Sequence, residues 1–361
     1  MSGWRPLVLG LGVVAVAIVL VALGSGLPSS LPAASPPTTT GRTPTAASSA
    51  SVGLDPAPTP QPLPTIAPTT SATASPTVTQ TARPTAAPTP TAPAAASGVT
   101  LVGAGDIASC DSNGDEKTAA LLDGIEGTVF TAGDNVYDDG TAAEFEECYG
   151  PSWGQHRQRT RPAPGNHDFH TADGKPYFDY FGTRAGDPGV GYYAYDLGSW
   201  RIYALNSNCA AIGGCSPGSA EETWLRADLA AHPRACALAY WHHPLFSSAE
   251  HGNNPIVRPL FRALYEAGAE LVLAGHDHTY ERFGSQAPNG DADPTTGIVE
   301  IVVGTGGRSH YGFPTVLPNS LVRNGTTYGV LKLTLGEGSY AFEFVPVAGK
   351  TFSDSGSGSC H

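Results

Sequence analysis

Sixteen of the chain's 32 prolines fall between Pro28 and Pro93, in a stretch built otherwise almost wholly from Thr, Ala and Ser. It has no aromatic residue and few large aliphatic ones, so it cannot bury enough apolar surface to offset the entropy of ordering. Its repeated Pro-Thr, Ala-Pro and Thr-Pro steps favour an extended, semi-rigid stalk. Residues 28–98 are therefore read as a disordered linker, and folding is confined to residues 99–361. Those 263 residues suffice for one large domain with a real core.

Ahead of the stalk, Leu7 to Leu27 runs for 21 residues without a charged side chain. About 20 apolar residues span a bilayer core, whereas a signal-peptide core runs about 7–15. Residues 1–27 are expected to be a signal peptide or an N-terminal membrane anchor. Length favours the anchor, and Ala22-Leu23-Gly24 resembles a cleavage site. No Cys follows the apolar run, which excludes a lipid-modified cysteine, and Arg5 at its near end suits an inside N-terminus. Either outcome puts the domain outside the cytoplasm, anchored to the cell surface or secreted. All six cysteines (Cys110, Cys148, Cys209, Cys215, Cys236, Cys360) lie in the globular part, as disulfides formed there would. Cys209 and Cys215 are spaced to close a small loop, and Cys360 to pin the C-terminus; the pairing is otherwise open.

The formal charge is −13, and the first 98 residues carry three arginines and one aspartate, which leaves −15 on the domain. Nucleic acid needs a basic footprint, so none is expected as a partner. Phosphate is disfavoured too, unless metal ions supply the positive charge. No obligate protein partner is evident.

Within the domain, short β-rich runs end repeatedly in glycine, aspartate or histidine. Val99–Ala104 meets Gly105-Asp106, and Thr128–Ala132 meets Gly133-Asp134-Asn135. Arg161–Pro164 leads to Gly165-Asn166-His167-Asp168, Ala235–Trp241 to His242-His243-Pro244, and Glu270–Ala274 to Gly275-His276-Asp277-His278. Helical patterns at Lys117–Asp123, Ser219–Ala231 and Ile256–Ala267 lie between them. Strands alternating with helices imply an α/β sheet with ligands beyond the carboxyl ends of the strands. The runs Gly191–Leu197, Ser199–Asn206, Gly297–Val303 and Tyr328–Val345 have few helices between them and read as antiparallel. Two mixed sheets packed face to face with helices outside use all the pieces: an α/β (α+β) fold, a four-layer αββα sandwich.

One Gly-Asp or Gly-His strand end is a common loop and says little. Five in this order supply the donors that a pair of metal ions takes: carboxylates (Asp106, Asp134), an amide oxygen (Asn166), imidazoles (His242, His276, His278) and the Tyr137 phenol. The five blocks resemble those of calcineurin-like metallophosphoesterases. Tyr137 and Ala249-Glu250-His251-Gly252 resemble the purple acid phosphatases, especially the small single-domain, tartrate-resistant type. The likeness runs from Val99 to the strands near Val345. It departs at the first block, where Asp106-Ile107-Ala108 replaces the usual Asp-x-Gly.

The resemblance implies that Asp106, Asp134, Tyr137 and His278 hold one ion, Fe(III), and that Asp134, Asn166, His242 and His276 hold a second, Zn, Mn or Fe(II), with Asp134 bridging. His243 is then a packed neighbour, since the family pattern is His, any residue, Pro. Asp168 and Asp277 would orient histidines. Two cations about 4 Å apart activate water and hold phosphate oxygens, so the implied reaction is attack of a metal-held hydroxide on a small phosphomonoester. His167 and His251 are the catalytic candidates for stabilising or protonating the leaving group. His156, His170, His232, His310 and His361 end no motif-bearing strand and are set aside. A phosphodiesterase on the same platform is the close alternative. A non-catalytic surface module would have lost ligands, and a phosphate-binding protein would offer amide donors instead of a bridging carboxylate.

Overall fold

The computed structural model describes residues 98–233 and 236–361. The apolar run and the stalk lie outside the described residues, apart from Gly98. Among the described residues, no helix is long and apolar enough to cross a membrane.

The chain forms a mixed α/β structure with two mixed sheets. The first contains β1 (Val99–Ala104), β3 (Thr128–Ala132), β5 (Thr160–Ala163), β13 (Gly329–Gly336), β14 (Ser339–Pro346) and β15 (Ser355–Ser359), in the order β15-β14-β13-β1-β3-β5. β1, β3 and β5 are parallel and the other pairings antiparallel. The second contains β6 (Tyr193–Leu197), β7 (Trp200–Ala204), β8 (Ala237–Tyr240), β9 (Leu271–Ala274), β10 (Tyr280–Phe283), β11 (Val299–Val303) and β12 (Ser320–Asn324), in the order β12-β10-β11-β9-β8-β7-β6. Here β7, β8, β9 and β11 are parallel. β2 (Ala108–Ser109) and β4 (Val136–Tyr137) pair as a small parallel ribbon.

Alternation along the second sheet separates two cores, because successive strand residues face opposite sides. Ile202, Leu238, Tyr240, Leu271 and Leu273 share a cluster with Leu101, Phe130, Leu331 and Leu333 of the first sheet. The Phe130 and Tyr240 rings meet there at 5.5 Å. Their strand neighbours Tyr203, Ala239, Trp241 and Val272 pack instead with Leu225 of α4 (Ala220–Ala231) and with Leu260, Phe261 and Leu264 of α5 (Arg258–Glu266). Ser219 caps α4 by accepting the Glu222 N–H, with Glu221 and Glu222 in the first turn, a favourable start for a helix. α1 (Gly114–Asp123), the turn Phe145–Tyr149 that continues α2 (Ala142–Glu144), and α3 (Lys175–Phe181) add their apolar side chains to the first cluster.

Several elements differ from the sequence reading, among them β10, β12 and β15, which it did not include. Tyr328–Val345 is a hairpin, β13 and β14, turned by Glu337-Gly338. α5 begins at Arg258, after a 3-10 turn at Pro255–Val257. The described cysteines pair as Cys110–Cys148, Cys209–Cys215 and Cys236–Cys360, so Cys209–Cys215 closes the small loop and Cys360 pins the C-terminus. The sheets also join at their strand ends, where Gly105 N–H donates to Val303 O and the His242 ring Nδ1 meets Ala132 O.

Candidate metal centre

Asp106, Asp134 and His276 each lie two residues beyond a parallel strand, and each has positive φ (61°, 48° and 71°). A left-handed backbone is unfavourable for non-glycine residues, and such positions concentrate where a side chain must be aimed. Hydrogen bonds between the motifs hold them. His276 N–H donates to Asp106 Oδ2 and His167 N–H to Asp134 Oδ1, both at 2.8 Å. Each carboxylate thereby fixes one oxygen on the backbone and turns the other inward. Gly165 is required by the same closeness, since a Cβ there would lie 2.1 Å from Asp134 Oδ1.

The inward atoms converge. Tyr137 OH lies 2.8 Å from Asp106 Oδ1, 2.8 Å from Asp134 Oδ2 and 3.2 Å from His278 Nε2. On the other side, His242 Nε2 lies 3.2 Å from Asp134 Oδ2, 3.0 Å from Asn166 Oδ1 and 3.2 Å from His276 Nδ1. All seven sequence candidates therefore meet in two overlapping groups that share Asp134. The departure at Ile107-Ala108 leaves Asp106 in place, because Ile107 N–H and Ala108 N–H bond to Asp134 O and Asn135 O.

This donor set suits cations. His242 donates from Nδ1 to Ala132 O and turns Nε2 toward three other ligand-type atoms at 3.0–3.2 Å, a position that takes a proton or a cation. Electron-rich atoms packed this closely call for positive charge between them. His243 also brings a ring nitrogen within 4.8 Å of donor atoms of His242 and His276. Its Nδ1, however, meets Ser207 Oγ at 2.8 Å, and its ring lies against His276.

Electrostatics follows the crowding. Burial works against charge on His242, but Asp134 outweighs it and lifts the imidazole pKa to about 9. Burial would raise Asp134, but His242 and His167 hold it well below the usual carboxylate range. Burial, with Asp106 and Asp134 alongside, pushes the Tyr137 phenol far up. Burial and the His242 charge press His243 down to about 3.

Supporting groups aim the rest. Asp168 accepts Gly165 N–H at 2.8 Å and the Asn135 amide at 2.9 Å, tying two motif loops together. Asp277 accepts Ser247 Oγ–H and His251 N–H, which seats His251 with its ring stacked 4.3 Å from His276. His167 packs on Tyr137 at 4.3 Å, and its Nδ1 lies 2.6 Å from Asp138 O.

Several neighbours escaped the sequence reading. His170, set aside there, lies with its ring 4.6 Å from that of His167 and shares Asp138 O. Ser309 Oγ lies 2.5 Å from His278 Nδ1, and the Tyr311 ring stacks on His278 at 4.1 Å. Arg308 lies over Tyr137. The signal for the last three is the glycine-rich Gly304-Thr305-Gly306-Gly307 that follows β11, another strand end of the same kind.

A family model described as calcineurin-like phosphoesterase matches residues 100–280, half of the chain. The chain belongs to that family. Its likeness extends to purple acid phosphatases. Purple acid phosphatase 15 of Arabidopsis thaliana is 30% identical over 157 residues, 40% of this chain and 28% of that protein. An uncharacterized Mycobacterium tuberculosis protein is 27% identical over 185 residues, 41% of this chain and 35% of that one. The chain thus spans about a third or less of the curated relatives it matches. The purple acid phosphatase structure from yellow lupin (Lupinus luteus) seeds shares the fold, with TM-score 0.60 and 20% identity over 73% of this chain and 54% of that one.

Proposed function

We propose that this family member is an exported phosphatase that hydrolyses small phosphomonoesters with two metal ions. Asp106, Asp134, Tyr137 and His278 would hold Fe(III), and Asp134, Asn166, His242 and His276 would hold Zn, Mn or Fe(II). The observation that carries the reading is the inward pair Asp106 Oδ1 and Asp134 Oδ2, both 2.8 Å from Tyr137 OH. When bound, the two ions supply an activated water and offset charge on the attacking and leaving oxygens.

The chain's own groups do the rest. Asp134 joins the two groups of donors, and its second oxygen is locked by His167 N–H, so it cannot swing away. His167 donates from Nδ1 to Asp138 O, which leaves Nε2 directed at the site, 3.9 Å from Asp134 Oδ2. His251 is held by its backbone on Asp277, and its ring is open to solvent beside His276. It is the group suited to protonate the departing alkoxide. The three disulfides suit an oxidising compartment, as expected of a domain on a cell surface or secreted.

The test is steady-state hydrolysis by the full chain, purified with its metals, of an aryl phosphomonoester and its methyl diester. The reading expects the higher kcat/KM on the monoester. A clear preference for the diester would make it a phosphodiesterase on the same platform, and no turnover of either would overturn it.

A further inference from the structure

Arg308 is brought to the site by a rigid piece of backbone. Gly306 N–H donates to Gly105 O at 2.8 Å, Thr118 Oγ1–H of α1 to Gly306 O at 2.5 Å, and Arg308 N–H to Asp106 O at 3.1 Å. Gly307 packs so closely on α1 that a Cβ would lie 2.2 Å from Asp115 N. The guanidinium then lies 5.1 Å from the Tyr137 ring centroid, with Nη2 donating to Asp138 Oδ1 at 2.8 Å. Among the described residues, no other Lys or Arg has a hydrogen bond, ion pair or ring contact with any of the seven converging side chains.

Among the described residues, one of its five N–H donors has a hydrogen-bond partner, and the side chain is 28% exposed. It binds Asp138 and lies over the Tyr137 ring whose phenol touches the Asp106 and Asp134 carboxylates, in a domain of net charge −15. That field opposes a phosphomonoester dianion more than a diester monoanion. A guanidinium fork matches phosphate oxygens in geometry and charge.

We propose that Arg308 grips the free oxygens of the substrate's phosphoryl group from the Tyr137 side and so selects monoesters over diesters. The inference rests on the phosphatase reading above. Asp138 holds the guanidinium in place between turnovers, and the substrate's free oxygens engage its remaining donors. A diester has one free oxygen fewer and one negative charge fewer, and gains less from the contact.

The experiment compares the full chain, purified with its metals, as wild type, R308Q and R308K. Inorganic phosphate binding is measured by calorimetry, and kcat and KM on 4-nitrophenyl phosphate and its methyl diester. R308Q should weaken phosphate binding about tenfold or more and raise monoester KM to match, with a smaller change in kcat. The diester should change less than about threefold, and R308K should recover part of the loss, with metal content unaltered. Unchanged phosphate affinity in R308Q, or equal losses on both esters, would overturn the proposal. If wild type turned over neither ester, the phosphatase reading would fall, and phosphate affinity would still decide the role of Arg308.

Discussion

Asp106 Oδ2 accepts the backbone N–H of His276 at 2.8 Å, across 170 residues of chain. That bond joins the end of β1 in one sheet to the end of β9 in the other, and it leaves Asp106 Oδ1 facing Tyr137 and His278. The centre is therefore assembled by the packing of the two sheets.

Tyr137 gives the sharpest spectroscopic prediction. Its phenol is held protonated by burial and by Asp106 and Asp134, so only a strongly charged cation in their midst favours the phenolate. Protein grown with iron should be coloured when oxidised, and Tyr137→Phe should bleach the visible band while leaving melting temperature nearly unchanged. Iron-replete oxidised protein without colour would remove Tyr137 from the ligand set.

His251→Ala should lower turnover while metal content stays the same. A proton donor matters most when the leaving group is a poor one, so alkyl phosphates should lose about tenfold more than activated aryl phosphates. Equal losses on both would argue against proton donation.

The seven converging residues were legible in the sequence because each is a metal-ligand type, and each sits at a strand end or a few residues beyond one. Arg308, Ser309 and Tyr311 were not, because they depend on a glycine loop laid against α1, a contact between segments nearly 190 residues apart. β15 gave no signal either. Ser355–Ser359 alternates Ser and Gly, and it is a strand only through pairing with β14 beside the Cys236–Cys360 bond. His170 was set aside as lying outside a motif. Only the helical turn after Asn166 brings it beside His167.

Glu221 makes stability depend on pH in a direction opposite to that of a salt-bridged carboxylate. It is buried with Asn206 N–H on Oε1 at 2.7 Å, and burial lifts its pKa from 4.5 to about 8. Between those values the unfolded chain has lost the proton and the folded chain keeps it, so stability falls as pH rises. Denaturant melts at pH 5 and pH 8 should show Glu221→Gln losing less stability than wild type, by up to roughly 4 kcal/mol. Glu300, buried and also near 8, adds the same slope in both proteins. An identical slope in variant and wild type would contradict the burial argument.

The shared carboxylate is the centre of the account. Asp134 Oδ2 lies 2.8 Å from Tyr137 OH and 3.2 Å from His242 Nε2, so it belongs to both groups of donors. The direct measurement is metal content per chain, by elemental analysis, of wild type and Asp134→Asn purified side by side. Two ions per chain in wild type, with one or none in the variant and turnover lower by about a hundredfold or more, is the predicted result. Two ions retained in Asp134→Asn with ordinary activity would contradict it.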